Sequence, residues 1–337
     1  MALIHSGTFV LVGLDFNILS FIMALEDAHL PPDTINAVVE DAGSDLKQAV
    51  SGAKKLIEID DSVVVIGPEW TEFGEVVSPI AVSNNVPFIS PWVVAEAPYV
   101  KPPYYWSATP SDRSEHTALV DYLARHKISR VALVYSNNFW SDINIQMFKE
   151  ESIKRGGLTM ISEDMLDQST KDFRTVLAKV KAENPDVIYL AMGDDDSHGA
   201  FISQARQLGL ALPIASNSSR AASPVMKDRY HSLLHDQIFA QQLPSPRDQE
   251  FQAKYEARFG IKPEAPSGAA AYDMTSIAIQ AIKGGAKTSS DIIYYMEHMP
   301  AYEGYSGTIR FDQFGHVPLR PVVMERYDKN NQIERIE

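Results

Sequence analysis

Few polar residues in this chain have a spacing that could support catalysis, and each of those lacks its partners. Ser51-Gly52-Ala53-Lys54 has the Ser-x-x-Lys spacing in which a lysine activates a serine, but the companion Ser-Asp-Asn and Lys-Thr-Gly segments are absent. No Gly-x-Ser-x-Gly elbow, phosphate-binding Gly-x-x-x-x-Gly-Lys loop or Gly-x-Gly-x-x-Gly turn occurs, so hydrolytic and nucleotide chemistry lack their usual devices. Asp194-Asp195-Asp196 with His198 offers oxygen and imidazole donors to a metal. The three acids also precede a helical stretch over 197–208, whose positive end they favour, and that explains them better. There is no cysteine, so thiolate metal sites and disulfides are excluded. No catalytic residue, metal or cofactor is expected.

What remains is binding chemistry, concentrated in Val63 to Pro91, VVVIGPEWTEFGEVVSPIAVSNNVPFISP. Four apolar residues end at Gly67-Pro68. A helical stretch follows with Val76, Val77, Ile80 and Ala81 on one face, and a second short strand ends at Ser90-Pro91. Strand, helix and strand in so short a span make a βαβ unit of a parallel sheet. Ligands of such sheets bind at the carboxyl ends of the strands, where Glu69-Trp70-Thr71 and Pro91-Trp92-Val93-Val94 lie.

The elements that carry these loops follow from bulk and pattern. At 337 residues the chain is long for a single core, and two lobes are expected. With 45% hydrophobic and 22% charged residues it is globular rather than disordered. A net charge of −14 argues against nucleic acid, whose phosphates need a basic face. No apolar run approaches the roughly 20 residues of a membrane span, and no leader is read at Met1-Ala2-Leu3-Ile4.

In order, the pattern predicts a short first strand at 2–4, a turn at Ser6-Gly7, a helix over 17–28 and a strand over 35–40. Ser44 is expected to cap a helix carrying Leu46, Ala49, Val50, Ala53, Leu56 and Ile57. Residues 98–106 read as a rigid aromatic connection, and Asp112 with Glu115 as a capping-box-like helix start. Strands at 131–135, 158–162, 187–191, 213–215 and 238–240 then alternate with helices. Three helices around 247–259, 268–283 and 289–298 follow, and strands at 308–311 and 321–327 close the chain. The fold class is α/β, two doubly wound lobes.

These pieces resemble the type I periplasmic solute-binding proteins, in particular the branched-chain amino-acid (Leu/Ile/Val-binding) group of ABC transporter proteins. The resemblance runs through Ala24-Leu25-Glu26-Asp27, Asp41, the helix from Ala49 to Ile57, VVVIGP (63–68), VPFISP (86–91), TPSD (109–112) and RVALVY (130–135). It continues through DFRTVLAKVKAENPDVIYL (172–190), ARQLGL (205–210), AAAYD (269–273) and GYSGTIRFDQFGH (304–316). It implies two lobes, 1–109 plus 244–312 and 110–243 plus 313–337, joined by a three-stranded hinge that closes on a ligand cleft. It further implies no enzymatic activity, a small-molecule solute, delivery to an ABC transporter membrane permease, and a periplasmic or lipid-anchored extracellular location. A cytoplasmic small-molecule-sensing regulator of the same fold is the alternative at this point. The first strand, so read, is shorter than the family's usual one.

Carried over residue by residue, the resemblance puts the hydroxyl donor after the Gly-Pro strand at Thr71. The small-small-threonine turn becomes Trp92-Val93-Val94, with a hydroxyl lost. One aromatic position becomes Trp140, and another falls near Gly193, next to Asp194. The acid that would pair a ligand ammonium falls near Ser218, so that charge is missing, and Tyr272 matches a tyrosine of the late helix. Packing under loops is the other reading of Trp70, Trp92 and Trp140, a core position that of Tyr272, and a solvated loop that of Arg220. With tryptophan faces gained and an ammonium partner lost, an aromatic or apolar carboxylate is the expected solute, its polar end held by Thr71 and Arg220, with a cationic ligand over the rings as the other possibility.

Overall fold

The computed structural model describes residues 8–13, 18–32, 34–43, 45–263 and 267–336. The expected strand at 2–4, the turn at Ser6-Gly7 and the capping residue Ser44 lie outside them. The elements run β1 (Thr8–Gly13), α1 (Ile18–Asp27), β2 (Asn36–Asp41), α2 (Leu46–Glu58), β3 (Ser62–Ile66), α3 (Thr71–Asn84), β4 (Phe88–Ser90), β5 (Tyr105–Ser107) and α4 (Arg113–Arg125). Then come β6 (Arg130–Ser136), α5 (Phe139–Arg155), β7 (Thr159–Leu166), α6 (Arg174–Glu183), β8 (Val187–Ala191), α7 (Asp195–Gln207) and β9 (Ile214–Asn217). The short helices α8 (Ser218–Ala221) and α9 (Pro224–Arg229) lead to β10 (Gln237–Gln242). The chain ends with α10 (Asp248–Phe259), α11 (Ser267–Lys283), α12 (Ser289–His298), β11 (Tyr302–Glu303), β12 (Thr308–Ile309), β13 (Val322–Tyr327) and β14 (Ile333–Arg335).

The chain divides into two compact units, 1–111 with 244–319 and 112–243 with 320–337. In the first, five parallel strands lie in the order β2-β1-β3-β4-β5. Val64, Ile66, Ile89 and Trp106 pack on Phe21, Met274, Ile277 and Ile292, so α1, α11 and α12 cover one face. The first described strand is not singled out by the sequence pattern. It is Thr8–Gly13, six residues long and inside the sheet between β2 and β3. Tyr105 and Trp106, the end of the stretch read as a connection, belong to β5, because both are buried and pair in parallel with β4. Asp45 caps α2, its Oδ1 accepting from the amides of Lys47 at 2.8 Å and Gln48 at 2.9 Å.

The second unit holds a seven-stranded sheet, β14-β13-β10-β9-β8-β6-β7, parallel except for β13 and β14. Alternate residues of its central strands supply two cores. Ala132, Val134, Ile188 and Leu190 meet Leu177, Phe201 and Ile202 on one face. Val131, Leu133, Val187 and Tyr189 meet Leu119, Leu123, Ile145 and Phe148 on the other. A parallel sheet covered on both faces places its loops, and its polar side chains, at the strand ends. The capping box expected at Asp112 does not form: the Asp112 side chain makes no cap bond. Glu115 turns instead toward a loop far along the chain.

Candidate functional site

In the first unit the loops after β3 and β4 are tied through hydroxyl groups. Ser90 Oγ donates to Pro68 O at 2.6 Å and accepts from the Trp92 amide at 3.3 Å. Thr71 Oγ1 accepts from the Val94 amide at 3.2 Å, and the Tyr99 hydroxyl donates to Thr71 O at 2.6 Å. Gly74 makes that last bond possible, since a Cβ there would stand 2.3 Å from the Tyr99 oxygen. Ser107 Oγ donates to Val93 O at 2.8 Å. Thr71, Val93 and Val94 are therefore brought together and buried. Trp92 is half-buried. Trp70 precedes α3 and is 47% exposed, its ring edge-on to Phe73 at 5.9 Å.

Tyr272 belongs to another group in the same unit. Its hydroxyl donates to Asp27 Oδ2 at 2.6 Å, its ring meets Tyr305 at 5.2 Å, and the Lys254 ammonium lies 5.2 Å over it. Burial, reinforced by Asp27, pushes its phenol well above the usual range. The neighbouring Asp273 is buried and accepts from the amides of Tyr305 and Ser306 and from Ser306 Oγ. Burial raises its carboxyl to about 6 against those bonds.

The second unit assembles Trp140, Gly193, Asp194 and Arg220. Arg220 donates from Nε to Met192 O at 3.1 Å and from Nη2 to Gly193 O at 2.8 Å. It pairs with Asp195 at 3.2 Å and lies 4.8 Å over the Trp140 ring. A planar guanidinium so placed fixes the loop after β8 against the first turn of α5, where Trp140 stands. Gly193 leaves room for Asn138, whose Nδ2 would be 2.3 Å from a Cβ there, so a side chain at 193 would have to push that amide aside. Asp194 caps α7 by accepting from the Ser197 amide at 2.7 Å, and Asp196 pairs with Arg229 at 2.6 Å. His198 turns inward, its Nε2 3.2 Å from Gln237 Oε1, and burial pushes its imidazole down to about 4.

Ser218 sits at the start of α8 on a carboxylate that the sequence reading assigned elsewhere. Glu115 Oε1 accepts from Ser218 Oγ at 2.9 Å and from the Gln242 amide at 3.3 Å, and Oε2 accepts from the Ser218 amide at 3.3 Å. Burial pushes this carboxyl up to about 7, with the three bonds opposing the rise. Beside it Asn217 Nδ2 donates to Asp112 Oδ2 and to Asn144 Oδ1, each at 3.3 Å. His116 Nδ1 lies 2.9 Å from Asp112 O and its Nε2 2.7 Å from the Tyr189 hydroxyl. Burial holds that imidazole down at about 4, hence neutral. A gap lined by Glu115, His116, Leu119, Tyr189, Ser216, Asn217 and Ala240 is too tight for a water molecule. Residue 218 is itself uncharged, and the carboxylate that meets it comes from α4, not from its own loop. Its sequence signal was hidden because Glu115 and Ser218 are separated by 103 positions.

The Ser51–Lys54 pair lies on α2, where Ser51 Oγ donates to Lys47 O at 2.9 Å. Among the described residues, no group of three or more acids and histidines is placed to hold a metal, and no helix is long and apolar enough to cross a membrane.

Comparison with known proteins follows the same architecture. The sequence model of a family described as "Periplasmic binding protein" matches residues 21–332. The Leu/Ile/Val/Thr-binding protein of Salmonella typhimurium is 28% identical over 182 residues, covering 53% of this chain and 48% of that protein. The chain thus spans about half the length of the curated relatives it matches. A leucine-binding protein from Thermotoga maritima superposes with a TM-score of 0.83 at 18% identity, over 98% of both chains. A solute-binding protein of an ABC transporter from Rhodopseudomonas palustris, in complex with 3,4-dihydroxybenzoic acid, gives 0.78 at 18% identity, over 96% of this chain and 93% of its own. At those identities the likeness concerns the fold.

Proposed function

The chain belongs to the periplasmic binding protein family, and from that premise we propose that it is the extracytoplasmic substrate-binding protein of an ABC uptake transporter. On this reading it encloses one small solute of amino-acid type by closure of its hinge, hands it unchanged to a membrane permease and catalyses nothing. The match over residues 21–332 carries the proposal. The hydroxyl-tied loops of the first unit support it, since the Ser90, Thr71 and Ser107 hydroxyls bond main-chain groups and not a base that would activate a nucleophile.

The solute we propose is an aromatic or apolar carboxylate. Trp70, half exposed, stands at the start of α3. Thr71 accepts the Val94 amide, which leaves its hydroxyl proton to donate to a carboxylate. Relatives bearing both ligand types exist: one is named for leucine, isoleucine, valine and threonine, another was solved with a dihydroxybenzoate. Arg220 contributes by holding Trp140 and the 193–195 loop, its guanidinium being committed to Met192, Gly193 and Asp195.

Titration calorimetry with branched-chain amino acids, aromatic acids and quaternary amines tests the reading. One solute bound per chain and recovered chemically intact, with aromatic or apolar carboxylates tightest, is the expected result. Recovery of an altered molecule overturns the non-enzymatic role, and leucine binding tightest overturns the solute.

A further inference from the structure

The second unit contains a buried carboxylate whose partners join three separate parts of the chain. Glu115 stands in the first turn of α4, just after the chain enters this unit at Asp112. Ser218 opens α8 directly after β9, and Gln242 ends β10, just before the chain leaves at Leu243. We propose that Glu115 is the positioning residue of the Asn217–Ala221 segment: its ionised carboxylate latches α8 to the entering and leaving segments, and protonation loosens it.

The hydrogen-bond inventory gives the latch its direction. All three partners come to the carboxylate as donors, two of them main-chain amides that can do nothing else. An ionised carboxylate accepts all three at once. A protonated carboxyl is a weaker acceptor and needs a partner for its own O–H: Ser218 Oγ can turn to accept it, while the bonds from the Ser218 and Gln242 amides are weakened. A glutamine has the same defect, because its NH2 group faces an N–H.

The charges around Glu115 do not hold it ionised. On its own helix, Asp112 is an acid bonded by Asn217, His116 is neutral and bonded to Tyr189, and Arg113 is taken up by Glu150 and Glu151. On α5, Glu151 pairs with Arg113 and Arg155, and on β8 Tyr189 stays protonated. From α8, Arg220 is directed to Met192, Gly193 and Asp195. β9 and β10 bring no charged side chain, and on β13 the residue next to Gln242 is Val322, with Glu325 opposite Phe239 and Arg326 opposite Ile238. Burial without a cation puts the transition near neutrality, about 7. The latch therefore closes above that value and opens below it.

The effect on solute rests on the solute-binding reading; the latch itself does not, so its test begins without ligand. Nuclear magnetic resonance of the whole chain between pH 5 and 8.5 should show the Glu115 side-chain carbon titrating near neutrality. The Ser218 and Gln242 amides should shift with the same midpoint, and both amide transitions should vanish in Glu115→Gln. Amides that stay flat while Glu115 titrates, or a Glu115 carbon that titrates below pH 5, overturn the latch. The wild-type titration decides even where the variant fails to fold. With a solute from the calorimetric panel, affinity should fall about tenfold from pH 8 to pH 5.5 in the wild type, the worth of one lost hydrogen bond, and stay level in Glu115→Gln. Coupled amide shifts with no solute bound at any pH support the latch and count against the solute-binding reading instead.

Discussion

The two units use the same strand-end geometry and tie their loops with different chemistry. Around Thr71 and Val94 the ties are hydroxyls from Ser90, Thr71, Tyr99 and Ser107, bonded to main-chain groups. The Ser111–Glu96 bond brings a carboxylate near these loops, and Asp27 and Asp273 do so elsewhere in the first unit. Around Ser218 and Gly193 the ties are a guanidinium, three carboxylates and a neutral imidazole, from Arg220, Asp194, Asp195, Glu115 and His116. Hydroxyls hold one geometry at every pH at which the chain is folded. Buried ionisable groups hold theirs only in one protonation state. Both units hold such groups, Asp273 in the first and Glu115, His116 and His198 in the second, and the balance of their senses sets the two apart.

The sharpest way to break this contrast is acid. Both buried histidines of the described chain, His116 and His198, lie in the second unit. Each is pushed from 6.5 down to about 4, so the unfolded chain takes up a proton before the folded one does. Their contribution is present above 6.5 and is lost as the pH falls from there through 4. Glu115 runs the other way: raised from 4.5 to about 7, its contribution is full below 4.5 and lost as the pH rises through 7. In the first unit Asp273, raised from 3.8 to about 6, has that same sense. Two losses against one gain leave the second unit weaker by on the order of 3 kcal/mol between pH 7 and 4, while Asp273 favours the first. Hydrogen exchange read by mass spectrometry should show peptides of α4 and α7 losing protection before those of α11. Equal loss across both units would remove the distinction.

A smaller effect comes from cutting one tie in each unit. Arg220→Ala leaves two carbonyls and Asp195 without their donor and uncovers Trp140, at a cost of about 2–3 kcal/mol. Thr71→Val keeps the shape and leaves only the Val94 amide unpaired, costing about 1–2 kcal/mol. Denaturation in low and high salt separates the two: the arginine variant's loss should shrink with salt, the threonine variant's should not. A Thr71→Val loss exceeding that of Arg220→Ala would reverse the assignment of which unit depends on charge.

How much of this was legible in the sequence differs between the units in the same way. Val63 to Pro91 announced its βαβ unit because its signals are contiguous: an apolar run, a Gly-Pro break, an amphipathic helix. Asp194 as an acid at a helix start was legible for the same reason. Thr8–Gly13 was missed although Phe9 to Val12 is an apolar run like Val63 to Ile66; an earlier apolar stretch at 2–4 competed with it, and pattern alone does not choose between them. Tyr105–Ser107 is too short for any period to register, and only pairing with Phe88–Ser90 makes it a strand. Glu115 shows the limit most clearly. Its spacing from Asp112 fits a local cap, yet its three bonds go to residues 103 and 127 positions away, which no local rule encodes.

The smallest change in stability should accompany the change most informative about the solute. Trp70 is half exposed, and the contact recorded for its ring is the edge-on meeting with Phe73. Trp70→Ala should therefore move stability by about 0.5 kcal/mol or less, the usual range for a surface substitution. Trp106, fully buried in the core of the same unit, gives the contrast: its truncation should cost about 3–5 kcal/mol. A tryptophan that contributes little to folding is free to contribute to binding, and stacking an aromatic carboxylate on it would add about 0.5–1.5 kcal/mol, a loss of roughly threefold to tenfold in affinity when the ring is removed. Thermal unfolding and calorimetry on the same Trp70→Ala sample read both quantities. A large drop in melting temperature with unchanged affinity would make Trp70 a packing residue, and the solute would then have to be recognised through the charged loops of the second unit.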